Sequence, residues 1–196
     1  MKKTFIILLL IFMGIHSYAQ TDTIPKVNVK LNSVVVLGIM NPAVEFRVFK
    51  KGSVQIEAIG IFAPRNFLGT GYPCSMAVTY GEFRFYPKQV FKGFFCGVHT
   101  GWAVYRLNKN LLPIYGYLKD PNSIHVGQAL IVGFIVGYNI ILNKHWGLEI
   151  SLGGGRQFST YESYTPKADG TSAHRELNGS AEYLPTKGGI LVNYRF

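Results

Sequence analysis

Seven charged residues stand out because of where they fall in an alternating pattern. Glu45, Arg47, Glu57, Glu82, Arg84, Glu149 and Arg195 alternate with apolar or small residues, as in Val44-Glu45-Phe46-Arg47-Val48 and Phe83-Arg84-Phe85. Side chains of a strand point alternately to its two faces, so all seven gather on the face opposite the apolar one. Carboxylates and guanidinium groups brought together away from water must pair, because an unpaired buried charge is prohibitively costly. The chemistry they predict is a lattice of ion pairs rather than a reaction. We weigh that lattice, which plugs the space it occupies, against a narrow or gated pore, and favour the plug.

Other residues with chemical potential are poorly placed for it. His99 points inward at mid-strand, His145 lies in a short turn, and His125 follows Ser123 at a strand edge with no carboxylate partner in view. A hydrolytic site needs a nucleophile, a base and an orienting acid together. No His, Cys, Asp or Glu spacing matches a metal-ligand set, and Gly153-Gly154-Gly155 is followed by neither a Lys-Ser/Thr pair nor a helix, so it is not a phosphate loop. We therefore expect no catalytic, cofactor-binding or metal-binding residues, no cofactor and no enzyme activity.

The elements that hold the seven charges are strands. The 196 residues open with Lys2-Lys3, an apolar run from Phe5 to Met13 and Ser17-Tyr18-Ala19, the pattern of a cleaved secretory signal over 1–19; a spanning helix would need ~20 apolar residues. Residues 20–196 form one domain. Eight strands are expected near 27–40, 43–50, 53–62, 76–86, 93–105, 126–142, 146–157 and 187–196. Their ~10-residue alternation of large apolar with small, polar or charged residues is the signature of an eight-stranded antiparallel transmembrane β-barrel, an all-β fold of outer-membrane type. The net charge of +10, which falls by two without Lys2 and Lys3, is scattered, and with no basic helix we exclude nucleic acid as a partner. Cys74 and Cys96 are placed at opposite rims, too far apart for a disulfide.

Three patterns favour lipid over water outside the ring. Phe83, Phe85, Phe94, Tyr138, Trp146, Tyr194 and Phe196 mark one rim of the apolar face, and Phe62, Trp102 and Phe158 the other, as interfacial girdles would. Short connections at 50–52, 87–92 and 143–145 alternate with long ones at 63–75, 106–125 and 157–186. The last strand carries Tyr194 and Phe196, an aromatic ending suited to the barrel-insertion machinery. These patterns predict a monomer in the outer membrane of a Gram-negative bacterium, in contact with outer-membrane lipid. The 156–186 loop, rich in Tyr, Ser, Thr and Gly, offers adaptable contacts to a surface partner or glycan.

The chain resembles the Bacteroidota family of small barrels designated domain-of-unknown-function family 3575. The likeness runs from about Leu31 to Phe196 and rests on Asn41-Pro42-Ala43-Val44-Glu45, Gly81-Glu82-Phe83-Arg84-Phe85-Tyr86, Gly93-Phe94-Phe95-Cys96-Gly97-Val98-His99, Gly133–Gly137 with Tyr138-Asn139-Ile140, Trp146-Gly147-Leu148-Glu149 and Lys187-Gly188-Gly189. Tyr86 stands where a Trp is common in the family, and its paired loop cysteines are absent from 156–186. The resemblance implies an outer-membrane barrel and no established activity. We expect a non-enzymatic barrel with a structural or surface-interaction role. The alternatives are an outer-membrane lipid-modifying enzyme, which needs a His–Ser–acid cluster, and a soluble lipocalin-like carrier, which needs an apolar cavity inside and charge outside.

Overall fold

Alternation of this kind builds strands, and the computed structural model is one antiparallel sheet. It describes residues 24–108, 123–166 and 172–196; the signal segment 1–19 lies outside them. The strands are β1 (Val27–Asn32), β2 (Ile39–Met40), β3 (Pro42–Phe49), β4 (Gly52–Ala63), β5 (Cys74–Phe85), β6 (Gly93–Leu107), β7 (Ile124–Ile141), β8 (Trp146–Pro166) and β9 (Ser172–Arg195). Around the sheet the order is β4-β3-β1-β9-β8-β7-β6-β5, and β5 pairs back onto β4, so eight strands close into a ring. The two-residue β2 adds a short pairing to β4 at Ile39↔Ile61 and Met40↔Gly60.

Two expected boundaries are corrected. The first strand does not run unbroken to residue 40. Asn32 Oδ1 accepts a hydrogen bond from Val34 N, Ser33–Leu37 winds into a 3-10 turn, and Gly38, at φ +80°, ends it in the left-handed region that glycine favours. The second correction concerns 157–186. The described residues of that segment, 157–166 and 172–186, are strand: β8 continues to Pro166, β9 starts at Ser172, and the two pair antiparallel. Thr160, Tyr161, Tyr164 and Thr165 are good strand residues, and the polarity that suggested a loop belongs to a hairpin that rises clear of the apolar band.

The period of two holds around the ring. Val54, Ile56, Phe134, Val136, Ile150 and Leu152 face outward and are exposed, while Gln55, Glu57, Gly133, Ile135, Glu149 and Ser151 between them face in. The aromatic residues expected at the two rims all lie on the outer face. Tyr194 alone is covered, packed by Trp146 at 5.0 Å, His145 at 5.4 Å and Phe196 at 4.8 Å. Cys74 and Cys96 are both free. Cys74 pairs with Leu107 at one end of the β5–β6 ladder and Cys96 with Phe85 at the other.

Inside the ring, small residues allow strands and side chains to meet. Gly133 and Gly155 lie opposite each other across β7 and β8. A Cβ on Gly133 would stand 2.9 Å from Gly155 Cα and 2.8 Å from His99 Nε2. Gly81, on the outer face, has open space at that position. Gly133→Val should therefore lower the unfolding free energy by about 1–3 kcal/mol, read as a shift in the thermal midpoint of the folded gel band, and Gly81→Val should leave the midpoint in place.

Candidate functional site

The interior of the ring is built in three tiers, each assembled from residues that alternate with the outward apolar ones. At the short-turn end an aromatic plug fills the space. Tyr86, Val90, Phe91, Phe95 and Ile135 form one buried cluster, with Tyr86 5.3 Å from Phe95 and 6.3 Å from Phe91 between ring centroids. The 87–92 connection, expected as a simple short turn, folds Val90 and Phe91 inward to complete it.

Above the plug lies the charged lattice. Arg84 is its centre: Nη1 bonds both oxygens of Glu149 at 2.9 Å, Nε donates to Glu82, and the guanidinium lies 4.4 Å from the Phe95 ring. Lys30 Nζ stands 2.5 Å from Glu45 and 2.5 Å from Glu149. Lys187 Nζ pairs with Glu57 and, at 2.7 Å, with Glu82. Neutral groups complete the acceptors: Ser53 donates to Glu45, Tyr86 Oη donates to Glu45 at 2.8 Å, Gln55 to Glu57 at 2.9 Å and Asn41 to Glu57 at 2.9 Å. Four carboxylates and three cations are thus connected through charge-assisted bonds, all of them buried.

The seven expected residues divide unevenly. Glu45, Glu57, Glu82, Arg84 and Glu149 meet in the lattice as their parity required. Arg47 and Arg195 do not join it. Arg47 Nη1 donates to the Ile24 carbonyl at 2.7 Å, and Arg195 donates to the carbonyls of Asn143 at 2.7 Å and Trp146 at 3.0 Å. Both sit at the short-turn end, where backbone carbonyls left over by the turns are nearer than any carboxylate. Lys30 and Lys187 take their places. Lys30 had a legible signal, since Asn28, Lys30 and Asn32 alternate with Val27, Val29 and Leu31. Lys187 had the same signal, since it shares the odd parity of Gly189, Leu191, Asn193 and Arg195, and it is the first residue below a β-bulge.

That bulge separates the second tier from the third. Gly153 pairs with Lys187 but Gly154 pairs with Pro185, so β9 carries one extra residue, Thr186. An extra residue inverts the alternation. Below it the odd-numbered Lys187, Leu191, Asn193 and Arg195 are buried; above it the even-numbered Ser180, Glu182, Leu184 and Thr186 turn inward. They face Ile59, Ile61, Met76, Val78, Tyr80, Ala103, Tyr105 and Ile131 across a half-enclosed cavity of about 340 Å³. One wall is apolar, from β4, β5, β6 and β7. The other, from β8 and β9, carries Gln157, Ser159, Ser180 and Glu182.

The histidines fall at the edges of these tiers. His99 is buried between lattice and cavity, with Nε2 2.9 Å from Thr186 Oγ1 and its ring edge-on to Tyr80. His125 Nδ1 lies 2.9 Å from Ser163 Oγ and packs edge-on against Tyr161. His145 Nδ1 lies 3.1 Å from the Arg195 carbonyl. Among the described residues no cluster of three His, Cys, Asp or Glu side chains could hold a metal ion, and no helix is long and apolar enough to cross a membrane; the latter says nothing of strands.

The lattice gives a measurable expectation. Arg84→Met leaves Glu45, Glu82 and Glu149 buried with too few cations. Removing one partner of a buried pair costs about 3–5 kcal/mol, so the variant should lose most of its folded band in a denaturant titration, whereas Lys92→Met, at an exposed turn position, should match the parent.

A family model described as protein of unknown function (DUF3575) matches residues 4–196. No curated protein and no solved structure matches the chain.

Proposed function

The chain belongs to the DUF3575 family, and from that premise we propose that it is a sealed, non-enzymatic barrel of the outer membrane with a structural or surface-interaction role. The observation that carries this reading is the inversion of the ring: large apolar side chains outside, paired charges inside. Val136, Ile150, Leu152 and Ile190 are about half exposed or more, while Glu45, Glu149 and Lys30 are essentially inaccessible. Water would punish such an exterior, since soluble monomers rarely present large contiguous apolar patches. Hydrocarbon would not, and pairing of the eight strands in a closed ring satisfies backbone groups between neighbours as an apolar surround requires.

The height of the band supports the same reading. On β8 the outward residues run Trp146, Leu148, Ile150, Leu152, Gly154, Arg156 and Phe158. Arg156 lays its guanidinium 5.1 Å from the Phe158 ring and 5.5 Å from the Tyr183 ring, as a cation reaching from hydrocarbon to an aqueous boundary does. Trp146 and Phe158 thus bracket a stretch that matches the about 9–11 strand residues a tilted transmembrane strand needs. The basic-then-apolar pattern of residues 2–13 supports export.

Inside, the aromatic plug and the lattice occupy the lower two thirds of the ring, which supports a barrel that does not conduct. The carrier alternative required charge outside, and the exposed apolar exterior argues against it, although the apolar cavity it required is present. The lipid-modifying enzyme required a His–Ser–acid cluster facing lipid. His125 and Ser163 do meet, but Ser163 turns into the ring, so this pair does not supply it. The surface role falls to the 157–186 hairpin, whose Tyr-, Ser- and Thr-rich strands stand above the band and offer hydrogen-bonding contact to a partner or glycan.

Fractionation of expressed full-length protein tests the proposal. It should sediment with outer membranes and shift in gel mobility on boiling. Val136→Arg, at mid-band, should cost ~2–4 kcal/mol in a bilayer and deplete the folded membrane form, while Gln157→Arg, inside the ring, should not. Recovery of the parent as a soluble periplasmic protein would sink the reading.

A further inference from the structure

The upper tier of the interior lies above the ion-pair lattice, and its construction is that of a binding site. Ligand sites are typically concave, largely apolar and marked by a few polar groups on one side. Here most of the apolar groups come from β4–β7, with Leu184 and Pro185 from β9, and Gln157, Ser159, Ser180 and Glu182 come from β8 and β9. The bulge at Thr186 is what turns the second set inward. Without it, β9 would present Ala181, Tyr183 and Pro185, and the polar wall would be lost.

We propose that this cavity binds a small uncharged apolar molecule, of roughly ten carbons, that carries one hydrogen-bonding end. Three features define the ligand. Size follows from volume: a cavity of ~150 Å³ accommodates benzene, and this one, at about 340 Å³, is a little over twice that. Shape follows from the walls, where Met76, Ile61, Leu107 and Leu184 are adaptable and leave the long dimension for an alkyl chain or fused rings. Charge follows from the polar wall. Its ionisable member is the Glu182 carboxylate, and among the described residues no lysine or arginine lines the cavity, so an anionic head would meet a like charge in a largely apolar site.

The floor keeps the ligand apart from the lattice. Tyr80 spans the boundary: its hydroxyl donates to the Thr186 carbonyl at 2.9 Å, and Lys187 Nζ lies 5.0 Å from its ring centroid. The cavity itself does not depend on the membrane reading, so the two can fail separately.

Cys74 lines the cavity, and Cys96 lies on the opposite parity of β6, facing outward. They make a matched pair of reporters. Full-length protein in lipid nanodiscs, carrying either Cys96→Ala or Cys74→Ala, would be alkylated with N-ethylmaleimide in the presence of decan-1-ol or decanoate. Decan-1-ol should slow labelling of Cys74 saturably, by about ten-fold at ten times its dissociation constant, with little effect on Cys96. Decanoate should protect far less. Ala103→Phe, which fills the cavity, should abolish protection, and Met76→Trp serves if that variant does not fold. The boiling-dependent mobility shift, taken on the same samples, reports the barrel independently. Equal slowing at Cys74 and Cys96, no slowing in folded protein, or equal protection by decanoate would overturn the assignment.

Discussion

Four glutamates without access to water have to be held by three cations, and that requirement organises the rest of the ring. Glu45, Glu57, Glu82 and Glu149 come from three different strands (β3, β4 and β5) and from β8 on the far side, so the bonds from Lys30, Arg84 and Lys187 tie the wall together across its interior. Ionised groups in a low-dielectric space lose far more hydration than a single contact returns, so each needs several partners. Arg84 answers with a planar fork that reaches three carboxylates, a geometry lysine could not reproduce. The small residues follow from the same demand. Gly97, Gly133, Gly153 and Gly155 leave room where a Cβ would collide with backbone or with His99, and the long Glu, Lys and Arg side chains fill it.

Once the lattice occupies the middle of the ring, the ends take different characters. Below, Tyr86, Phe91, Phe95 and Ile135 seal the short-turn end, and Tyr86 links seal to lattice through its bond to Glu45. Above, the interior turns apolar on one wall and polar on the other, where Glu182 stands with Gln157, Ser159 and Ser180. A single bulged residue in β9 makes this division. It leaves Lys187, which keeps the odd parity of Arg195, in the lattice and turns the even-numbered residues above it into the cavity.

Much of this was legible in the residues and some was not. Ring closure and strand number follow from alternation of period two, which is strong wherever one face is apolar and the other charged, as in Val44–Val48 and Trp146–Leu152. The same parity places five of the seven expected charges correctly. Arg47 and Arg195 had the right parity but the wrong depth, because a nearby turn carbonyl outcompetes a distant carboxylate, and depth is not written in a period. Ser180, Glu182 and Leu184, by contrast, could not be placed without knowing that β9 bulges at Thr186. The cavity was hidden for another reason: in Ala103-Val104-Tyr105 and Leu130-Ile131-Val132 both faces are apolar, so alternation carries no contrast there. The hairpin beyond residue 157 was obscured by polar composition, which a strand standing in water shares with a loop.

The central claim is that lipid, not water or a protein core, covers the outer face while the inner face stays sealed. Methyl NMR of the full-length protein in nanodiscs whose lipids carry a spin label deep in the acyl chain tests it directly. Val136, Ile150 and Ile190 should broaden strongly, and Ile131, Ile135 and Leu191, neighbours in sequence but of opposite parity, should stay sharp. Uniform broadening, or sharp outer methyls beside broadened inner ones, would contradict the account.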